Sequence, residues 1–317
     1  MSLIGHHEPW REWRTALQSG KMHHAWILAG ERGVGKSGFA LAAARELVAE
    51  EGISQPAIHP DIIVLDHLPA SEEEQKKKDD GKPFATKRNI TIDQIRQIQH
   101  RLSTRPTLGA RRAVIIDPAD DMEKEAINAL LKSLEEPPAG SFFLLVAHRP
   151  GRLLATVRSR CRTLRFPRLS DAQVETVVAR HAPHAAGAAR AAAVAAAHGS
   201  PGRALSFVEQ DLGPLHDLME RLVSAGDDHF ALRGALAGLI GARPDRDRLL
   251  ATLDLARAVL AARVGQVARE HQLRIIEAHA ALVRLAGQVP TFNYDPGLLA
   301  MEIGGLLAST AMPRETA

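Results

Sequence analysis

Short apolar runs alternate with helix-like segments through the first half of this 317-residue chain. Runs of this length between helical patterns indicate βαβ units and a parallel sheet covered on both faces. They occupy residues 25–29, 62–65, 113–117, 142–147 and 162–166. One helix between them has a clear start, because Thr91 and Gln94 have capping-box spacing. Its apolar stripe follows at Ile92, Ile95, Ile98 and Leu102.

The character of the sequence changes after Pro167. An alanine-rich stretch covers residues 185–197, the run HGSPGRAL follows it, and the pattern beyond Asp211 is helical without strand alternation. Two apolar stripes at helical spacing occur there, Leu249, Leu253, Ala256 and Leu260 in the first and Leu273, Ile276, Ala280 and Val283 in the second. We therefore predict three units, which are an α/β domain (1–167), a small helical domain (168–210) and an all-helical C-terminal domain (211–317).

One segment of the α/β half is dense in charge. Residues 71–88 read SEEEQKKKDDGKPFATKR, with few side chains to bury. We interpret this stretch as an exposed, mobile loop. Its basic residues could contact nucleic acid, but the interleaved acids favour a solvated loop.

The composition is ordinary for a soluble globular protein, with 45% hydrophobic and 24% charged residues. A net charge of +3 and a pI near 9.2 permit contact with nucleic acid without requiring it. The single cysteine, Cys161, excludes an internal disulfide and fits a reducing compartment. No run has the length of a membrane span, and no signal-peptide pattern is present, so we expect a cytoplasmic protein that does not engage a membrane.

The octet GERGVGKS, which begins at Gly30, is a complete phosphate-binding loop between a strand-like and a helix-like run. Gly30, Gly33 and Gly35 let successive backbone N–H groups face phosphate oxygens at a helix N-terminus. Lys36 can reach the terminal phosphates, and the Ser37 hydroxyl can ligate Mg²⁺. A glycine-rich turn with a chance Lys-Ser pair is the alternative, but the flanking runs favour a site for ATP or ADP with Mg²⁺.

Hydrolysis requires more than phosphate binding. The run AVIID ends at Asp117, which is placed to help Ser37 hold Mg²⁺. In hydrolytic versions of this motif the next residue is a Glu that orients the attacking water, whereas here it is Pro118, which has no proton-accepting group. Asp120 lies where we expect the next helix to begin, with its carboxylate pointing elsewhere. The sequence therefore predicts nucleotide binding with negligible intrinsic turnover.

Two long runs, IIDPADDMEKEAINALLKSLEEPP and FFLLVAHRPGRLLATVRSRCRTLRF, resemble the clamp-loader branch of the AAA+ ATPases. Within that branch they are similar to the delta-prime subunits of bacterial DNA polymerase III clamp loaders. Further matching pieces are LIGHHEPWREWRTALQSGKMHHAWILAGERGVGKS, HPDIIVLD, ITIDQIRQIQHRLSTRPTLGARRAVIID, HGSPGRAL and, more weakly, NYDPGLLAMEIGGLLA near the end. The resemblance implies an α/β AAA+ P-loop domain with a parallel sheet, a small helical lid domain and a helical collar that joins subunits.

The resemblance gives roles to two arginines. Ser-Arg-Cys in this family marks an arginine finger that acts in trans on the ATP site of a neighbouring subunit, and Arg160 takes that place. From spacing alone, Arg160 is one surface arginine among several. Arg203, in GSPGRA, either matches a second sensor arginine that contacts phosphate from the lid or is a solvent-exposed residue at a helix start. The first sensor position, around Ala147 and His148, lacks the expected Thr or Asn, which is a second indication against hydrolysis.

Many relatives carry a four-cysteine zinc module after the P-loop helix. Residues 47–59 contain no cysteine, and His59 cannot replace four thiolates, so we expect no zinc site. Three histidine pairs lack a supporting acid or thiol cluster, and we assign them surface or packing roles: His6/His7, His23/His24 and His181/His184. Cys161 is expected to pack in the core.

The resulting hypothesis is an accessory stator subunit at one end of a pentameric clamp loader. It would supply Arg160 to a motor subunit of the gamma or tau type, assemble with the delta subunit, and help place the sliding clamp on primed-template DNA. The alternative is an active motor-type ATPase, which would need the carboxylate that Pro118 replaces. A P-loop kinase or GTPase would need acceptor-site and base-specificity motifs that the sequence lacks.

Overall fold

The chain forms two compact units, Met1–Arg168 and Leu169–Ala317. The computed structural model describes residues 3–50, 52, 54–82, 84–289 and 294–311, apart from the side chain of Arg246. The division after Arg168 lies one residue from the predicted end of the α/β domain. The further division of the helical part at residue 210 stays a prediction.

The first unit is built on a five-stranded sheet with the order β2-β3-β4-β1-β5. Its strands are β1 (Ala25–Ala29), β2 (Ile62–Leu65), β3 (Arg112–Ile116), β4 (Ser141–Ala147) and β5 (Arg162–Arg165). All four pairings are parallel, and Ala29 at the end of β1 lies in register with Ala147 of β4 and Arg165 of β5. Each predicted strand agrees with the structure to within one residue at either end, and the α/β fold with a parallel sheet is confirmed.

Helices cover both faces of this sheet. They are α1 (His7–Gln18), α2 (Lys36–Val48), α3 (Glu72–Asp79), α4 (Ile92–Leu102), α5 (Lys124–Glu135) and α6 (Ala155–Arg158), with 3₁₀ turns at Ala119–Asp121 and Pro150–Arg152. Ile27 of β1 joins the core shared with α4 and α5, whereas its neighbour Trp26 joins the core shared with α1 and α2. Burial on both faces explains why the central strands read as continuous apolar runs.

Two helices test the local predictions. The capping box at Thr91 and Gln94 is confirmed, with the Thr91 N–H donating to Gln94 Oε1 at 3.0 Å. The charged segment 71–88, in contrast, is not a loop throughout, because α3 lies inside it. Ser71 Oγ caps its start, three acids occupy its first turn and three lysines its last turn, an arrangement that complements the helix dipole without any buried residue. Local electrostatics therefore form a helix where no apolar stripe predicts one.

The second unit is all-helical in the part that the structure describes. Its helices are α7 (Asp171–His181), α8 (Gly187–Ala197), α9 (Pro201–Glu209), α10 (Gly213–Ala225), α11 (Ala231–Ile240), α12 (Arg246–Val264), α13 (Arg269–Gln288) and α14 (Pro296–Ala308). One cluster of buried apolar side chains connects all eight. Within the described ranges, none of the helices is both long and apolar enough to cross a membrane.

The two predicted apolar stripes of this unit differ in burial. Leu253, Ala256 and Leu260 of α12 are buried in the core. On α13 the predicted stripe faces outward, with 62% of Leu273 and 51% of Ile276 exposed. The core side of α13 consists of Ile275, Ala278 and Leu282.

Candidate nucleotide-binding site

The GERGVGKS loop begins at the carboxyl edge of the sheet, between the ends of β4 and β5. The Gly30 N–H donates to the Ala147 carbonyl at 3.2 Å, and the Phe166 N–H donates to the Ala29 carbonyl at 2.8 Å. A Cβ at Gly30 would lie 2.5 Å from the Phe166 carbonyl oxygen, so only glycine fits there. The sheet therefore fixes the first residue of the loop.

The loop turns through two glycines with left-handed backbone, Gly33 at φ 82° and Gly35 at φ 106°. Gly35 is the N-cap of α2 and offers no side-chain acceptor to the first-turn N–H groups, and no acidic residue of α2 lies in that turn. Helix N-terminal N–H groups attract anions, especially where no carboxylate competes. The loop therefore fits the phosphates of a nucleotide.

Lys36 is the buried cation of the loop, with 2% of its surface exposed. Its Nζ donates to the carbonyl oxygens of Gly30 at 2.7 Å and Glu31 at 2.6 Å. Burial lowers the pKa of Lys36 to about 8, although Asp117, Asp120 and Glu31 act in the opposite direction. The ammonium thus lies inside the loop, where phosphate oxygens could replace the two carbonyls as its acceptors.

Ser37 and Asp117 come together beside this lysine. Asp117 directly follows β3, and its backbone N–H donates to the Leu65 carbonyl at 2.9 Å. The side chains of Ser37 and Asp117 are hydrogen-bonded. Burial raises the pKa of Asp117, while the Ser37 hydrogen bond and the charge of Lys36 oppose that rise. A hydroxyl and a carboxylate side by side are the oxygen ligands that Mg²⁺ prefers, so these residues fit a nucleotide-bound magnesium ion.

Asp120 lies at the same edge, but its carboxylate is engaged elsewhere. It accepts from the backbone N–H groups of His148 at 3.0 Å and Arg149 at 2.9 Å, and it is 1% exposed. The carboxylate therefore fastens the chain after β4. Pro118, which precedes it in the sequence, has no group that could orient a water molecule.

His148 is a site residue to which the sequence assigns no role, because the pattern shows only that the expected Thr or Asn is missing at this position. Burial lowers the pKa of His148 to about 4, with Lys36 and Arg32 adding to the effect and Asp120 and Asp121 opposing it. A neutral imidazole thus accompanies Lys36 at the edge where nucleotide is expected. Its place directly after β4, beside the first residue of the P-loop, is the signal that could have identified it.

The N-terminal segment also contacts the loop. His6 Nε2 lies 2.7 Å from the Val34 carbonyl oxygen, and the His6 ring packs edge-on against Phe166 at 5.0 Å. A Cβ built on Gly35 would meet Leu3 at 3.4 Å. His6 has the packing role expected of it, but what it packs against is the P-loop itself.

Arg160 lies apart from this cluster, between α6 and the amino end of β5. Its Nη1 donates to the Thr156 carbonyl at 2.9 Å, and its Nη2 lies 2.6 Å from Oε1 of Glu135. The next residue, Cys161, packs partly buried against the core that includes α4 and α5, and burial raises its thiol pKa to about 12.

Arg203 belongs to the second unit, where it is the third residue of α9. Its backbone N–H donates to Ser200 Oγ at 3.4 Å. A role at a phosphate therefore stays a prediction.

The zinc question concerns residues 47–59, of which Glu51 and Ile53 lie outside the described residues. Throughout the described part of the chain, no three His, Cys, Asp or Glu side chains are grouped so that they could hold a metal ion. The absence of a zinc site nevertheless stays a prediction. His59 Nδ1 instead accepts from the Asp61 N–H at 3.1 Å.

The chain is similar in sequence to several DNA polymerase III subunits. The chain is 32% identical over 168 residues to a DNA polymerase III subunit delta' of Pseudomonas aeruginosa, covering 48% of this chain and 46% of that protein. It is 30% identical over 210 residues to the subunit delta' of Escherichia coli K12, covering 62% and 58%. The Escherichia coli subunit tau is 28% identical over 278 residues, covering 86% of this chain and 40% of tau. The chain thus spans about half the length of the curated relatives it matches.

A solved structure supports the fold. A DNA polymerase III gamma subunit-related protein of Thermotoga maritima superposes with a TM-score of 0.52 at 18% identity, covering 93% of this chain and 98% of that one. A protein-family model described as DNA polymerase III, delta subunit, matches residues 5–170, more than half of the chain. With its five parallel strands and P-loop, the chain belongs to this family of DNA polymerase III subunits, within which it is delta-prime-like.

Proposed function

We propose that this chain is an accessory subunit of a bacterial DNA polymerase III clamp loader that supplies Arg160 to the ATP site of a neighbouring subunit. Its partners would be motor subunits of the gamma or tau type and the delta subunit, and the assembly would place a sliding clamp on primed-template DNA in the cytoplasm. The relatives named delta', tau and gamma support membership of such a complex.

The position of Arg160 carries this proposal. Arg160 precedes the amino end of β5, whereas Gly30 lies against Phe166 beyond the carboxyl end of the same strand. The four residues of β5 span about 13 Å at roughly 3.3 Å each. An arginine side chain does not reach across that distance to the P-loop of its own chain. A finger at this place would therefore serve a different subunit.

The nucleotide site of this chain would bind without efficient turnover. Gly30, Gly33 and Gly35 would form the phosphate cradle with Lys36, and Ser37 would hold Mg²⁺ together with Asp117; Arg203 is a proposed further phosphate contact. Bound Mg²⁺ would neutralise charge on the terminal phosphates. Efficient hydrolysis would also need a group that orients water, and neither Pro118 nor the engaged carboxylate of Asp120 offers one.

The test is reconstitution of the complex with a candidate motor subunit, followed by DNA-stimulated ATPase measurement. Arg160→Ala should leave the chain folded while it lowers kcat by about 10³-fold, because fingers of this kind stabilise the transferring phosphoryl group. Arg158 is an exposed arginine two residues away, so Arg158→Ala is the matched control and should retain activity. Unchanged complex activity in Arg160→Ala would remove the finger assignment.

A motor-type ATPase is the second candidate. The complete P-loop and the paired Ser37 and Asp117 favour it, as does the match to tau over 86% of this chain. The purified chain should bind ATP or ADP and show negligible turnover under the accessory-subunit proposal. If the purified chain hydrolyses ATP and this activity disappears in Lys36→Ala, the chain would instead be a motor-type ATPase.

A further inference from the structure

The carboxyl end of α5 contacts Arg160 through a single acidic residue. Glu135 is the last residue of α5, and its Oε1 lies 2.6 Å from Nη2 of Arg160. From the other side, Nη1 of Arg160 donates to the Thr156 carbonyl at 2.9 Å and to Ser159 Oγ at 3.4 Å. Both terminal nitrogens of the guanidinium are thus held by groups of this chain.

This arrangement leaves part of the guanidinium available. An arginine carries five N–H donors in a fixed fork. Among the described residues, the Nε of Arg160 donates no hydrogen bond. An incoming phosphate oxygen can therefore be bound without displacing either contact, while the contacts restrict the rotations of a long side chain.

The position of Glu135 is costly unless it is paired. Carboxylates are disfavoured at the carboxyl end of a helix, where the dipole is negative. The adjacent Glu136 caps the same helix end and is exposed. A cation beside Glu135 offsets this cost, so the pair couples the orientation of Arg160 to the end of α5.

We propose that Glu135 is a positioning residue that orients Arg160 for its action on the neighbouring ATP site. The inference rests on the proposed role of Arg160 as a finger. Glu135 would not touch the nucleotide. It would hold the guanidinium, together with the Thr156 carbonyl, in the orientation that the phosphate meets.

Glu135→Ala in the reconstituted complex should lower the DNA-stimulated kcat by about two- to fivefold, the effect expected for a partly exposed ion pair, with the ATP KM unchanged. Glu135→Gln should restore most of the rate, because its amide oxygen still accepts from Nη2. Glu136→Ala is the matched control and should have the kcat of the unmodified complex. In an Arg160→Ala background, Glu135→Ala should cause no further loss, whereas a general structural effect would slow both backgrounds equally.

A second measurement uses the isolated chain. The ¹⁵N–{¹H} NOE of the Arg160 Nε should fall in Glu135→Ala and stay high in Glu136→Ala, because only the first substitution releases the side chain. An unchanged NOE overturns the inference, as does a wild-type kcat for Glu135→Ala in a complex that Arg160→Ala slows. If Arg160→Ala itself has no effect on the complex, the proposed finger fails and the inference falls with it.

Discussion

Removal of the buried carboxylate of Asp61 should strongly destabilise the α/β unit. Its side chain is fully buried and forms an ion pair at 3.2 Å with Arg112, which is 5% exposed. Its two carboxylate oxygens also accept from the backbone N–H groups of Thr107 and Leu108 at 2.8–2.9 Å. Asp61→Ala would therefore leave one buried cation and two backbone donors without their acceptor.

The magnitude follows from these contacts. Breaking a buried ion pair by removing one partner costs about 3–5 kcal/mol, and an unsatisfied buried N–H adds about 1–3 kcal/mol. Arg112 keeps carbonyl acceptors at Arg101, Thr104 and Arg105, which reduces the loss. We expect the free energy of unfolding to fall by about 4 kcal/mol in Asp61→Ala. A smaller loss of about 2–3 kcal/mol is expected in Asp61→Asn, which retains one acceptor oxygen.

Urea denaturation followed by tryptophan fluorescence is the suitable assay, because all three tryptophans, Trp10, Trp13 and Trp26, lie in the first unit. The exposed carboxylate of Asp80, 3.0 Å from Lys82, provides the matched control, and Asp80→Ala should change the free energy by less than about 0.5 kcal/mol. A loss below about 1 kcal/mol in Asp61→Ala, with an unchanged m-value, would show that this buried pair contributes little to the stability of the unit.

The same residue predicts a pH dependence. Burial raises the pKa of Asp61, but the hydrogen bonds from Leu108 and Thr107 and the interactions with Arg112 outweigh it and hold the pKa below its ordinary value of 3.8. Its stabilising contribution is therefore complete above that value and is lost as the pH falls from there towards the lower folded pKa. In acid, Asp61→Asn should lose less stability than the unmodified chain.

Three further outcomes are expected. Gly140→Ala should destabilise the α/β unit by about 2 kcal/mol or more in the same assay, since Gly140 has φ 74° and an added Cβ would lie 2.3 Å from a backbone carbonyl oxygen. A loss below about 0.5 kcal/mol, which is the usual scatter of surface substitutions, would contradict this prediction. Gln94→Ala should lower the free energy of unfolding by about 2–3 kcal/mol, because the Thr91 N–H and the Asp66 carbonyl lose their hydrogen-bond partner. A variant as stable as the original chain would show that both groups find other partners. The pKa of His148, measured by NMR, should be about 4, below its ordinary value of 6.5. Protonation of His148 therefore opposes folding as the pH falls from 6.5 towards 4. A titration midpoint near 6.5 would disprove the buried, neutral imidazole.

The sheet and the phosphate loop were predictable because their signals are local. Continuous apolar runs locate strands buried on both faces, and the glycine spacing identifies the loop because a strand-like run precedes it and a helix-like run follows it. The helix at Glu72–Asp79 was not predicted, since it depends on a serine cap and on charge order rather than on an apolar stripe. Charge-dense sequence indicates exposure, but it does not exclude a helix.

Contacts between distant parts of the sequence could not be predicted in the same way. The α13 stripe at Leu273 and Ile276 follows helical spacing, yet the opposite side of the helix faces the core. Both sides of α13 carry apolar residues, and tertiary packing determines which of them is buried. The pairing of Glu135 with Arg160 joins residues 25 positions apart. The environment of His148 likewise depends on strands brought together by the sheet, which spacing along the chain does not reveal.

The burial of Cys161 has a practical consequence for chemical labelling. A thiol with a pKa of about 12 is almost entirely protonated at neutral pH, and the thiolate is the form that reacts with maleimides. The native cysteine should therefore label slowly, even though no other cysteine competes with it. A cysteine introduced at an exposed position such as Lys87 would take up a fluorophore selectively. Dyes can thus be placed on this chain without replacing the residue next to Arg160.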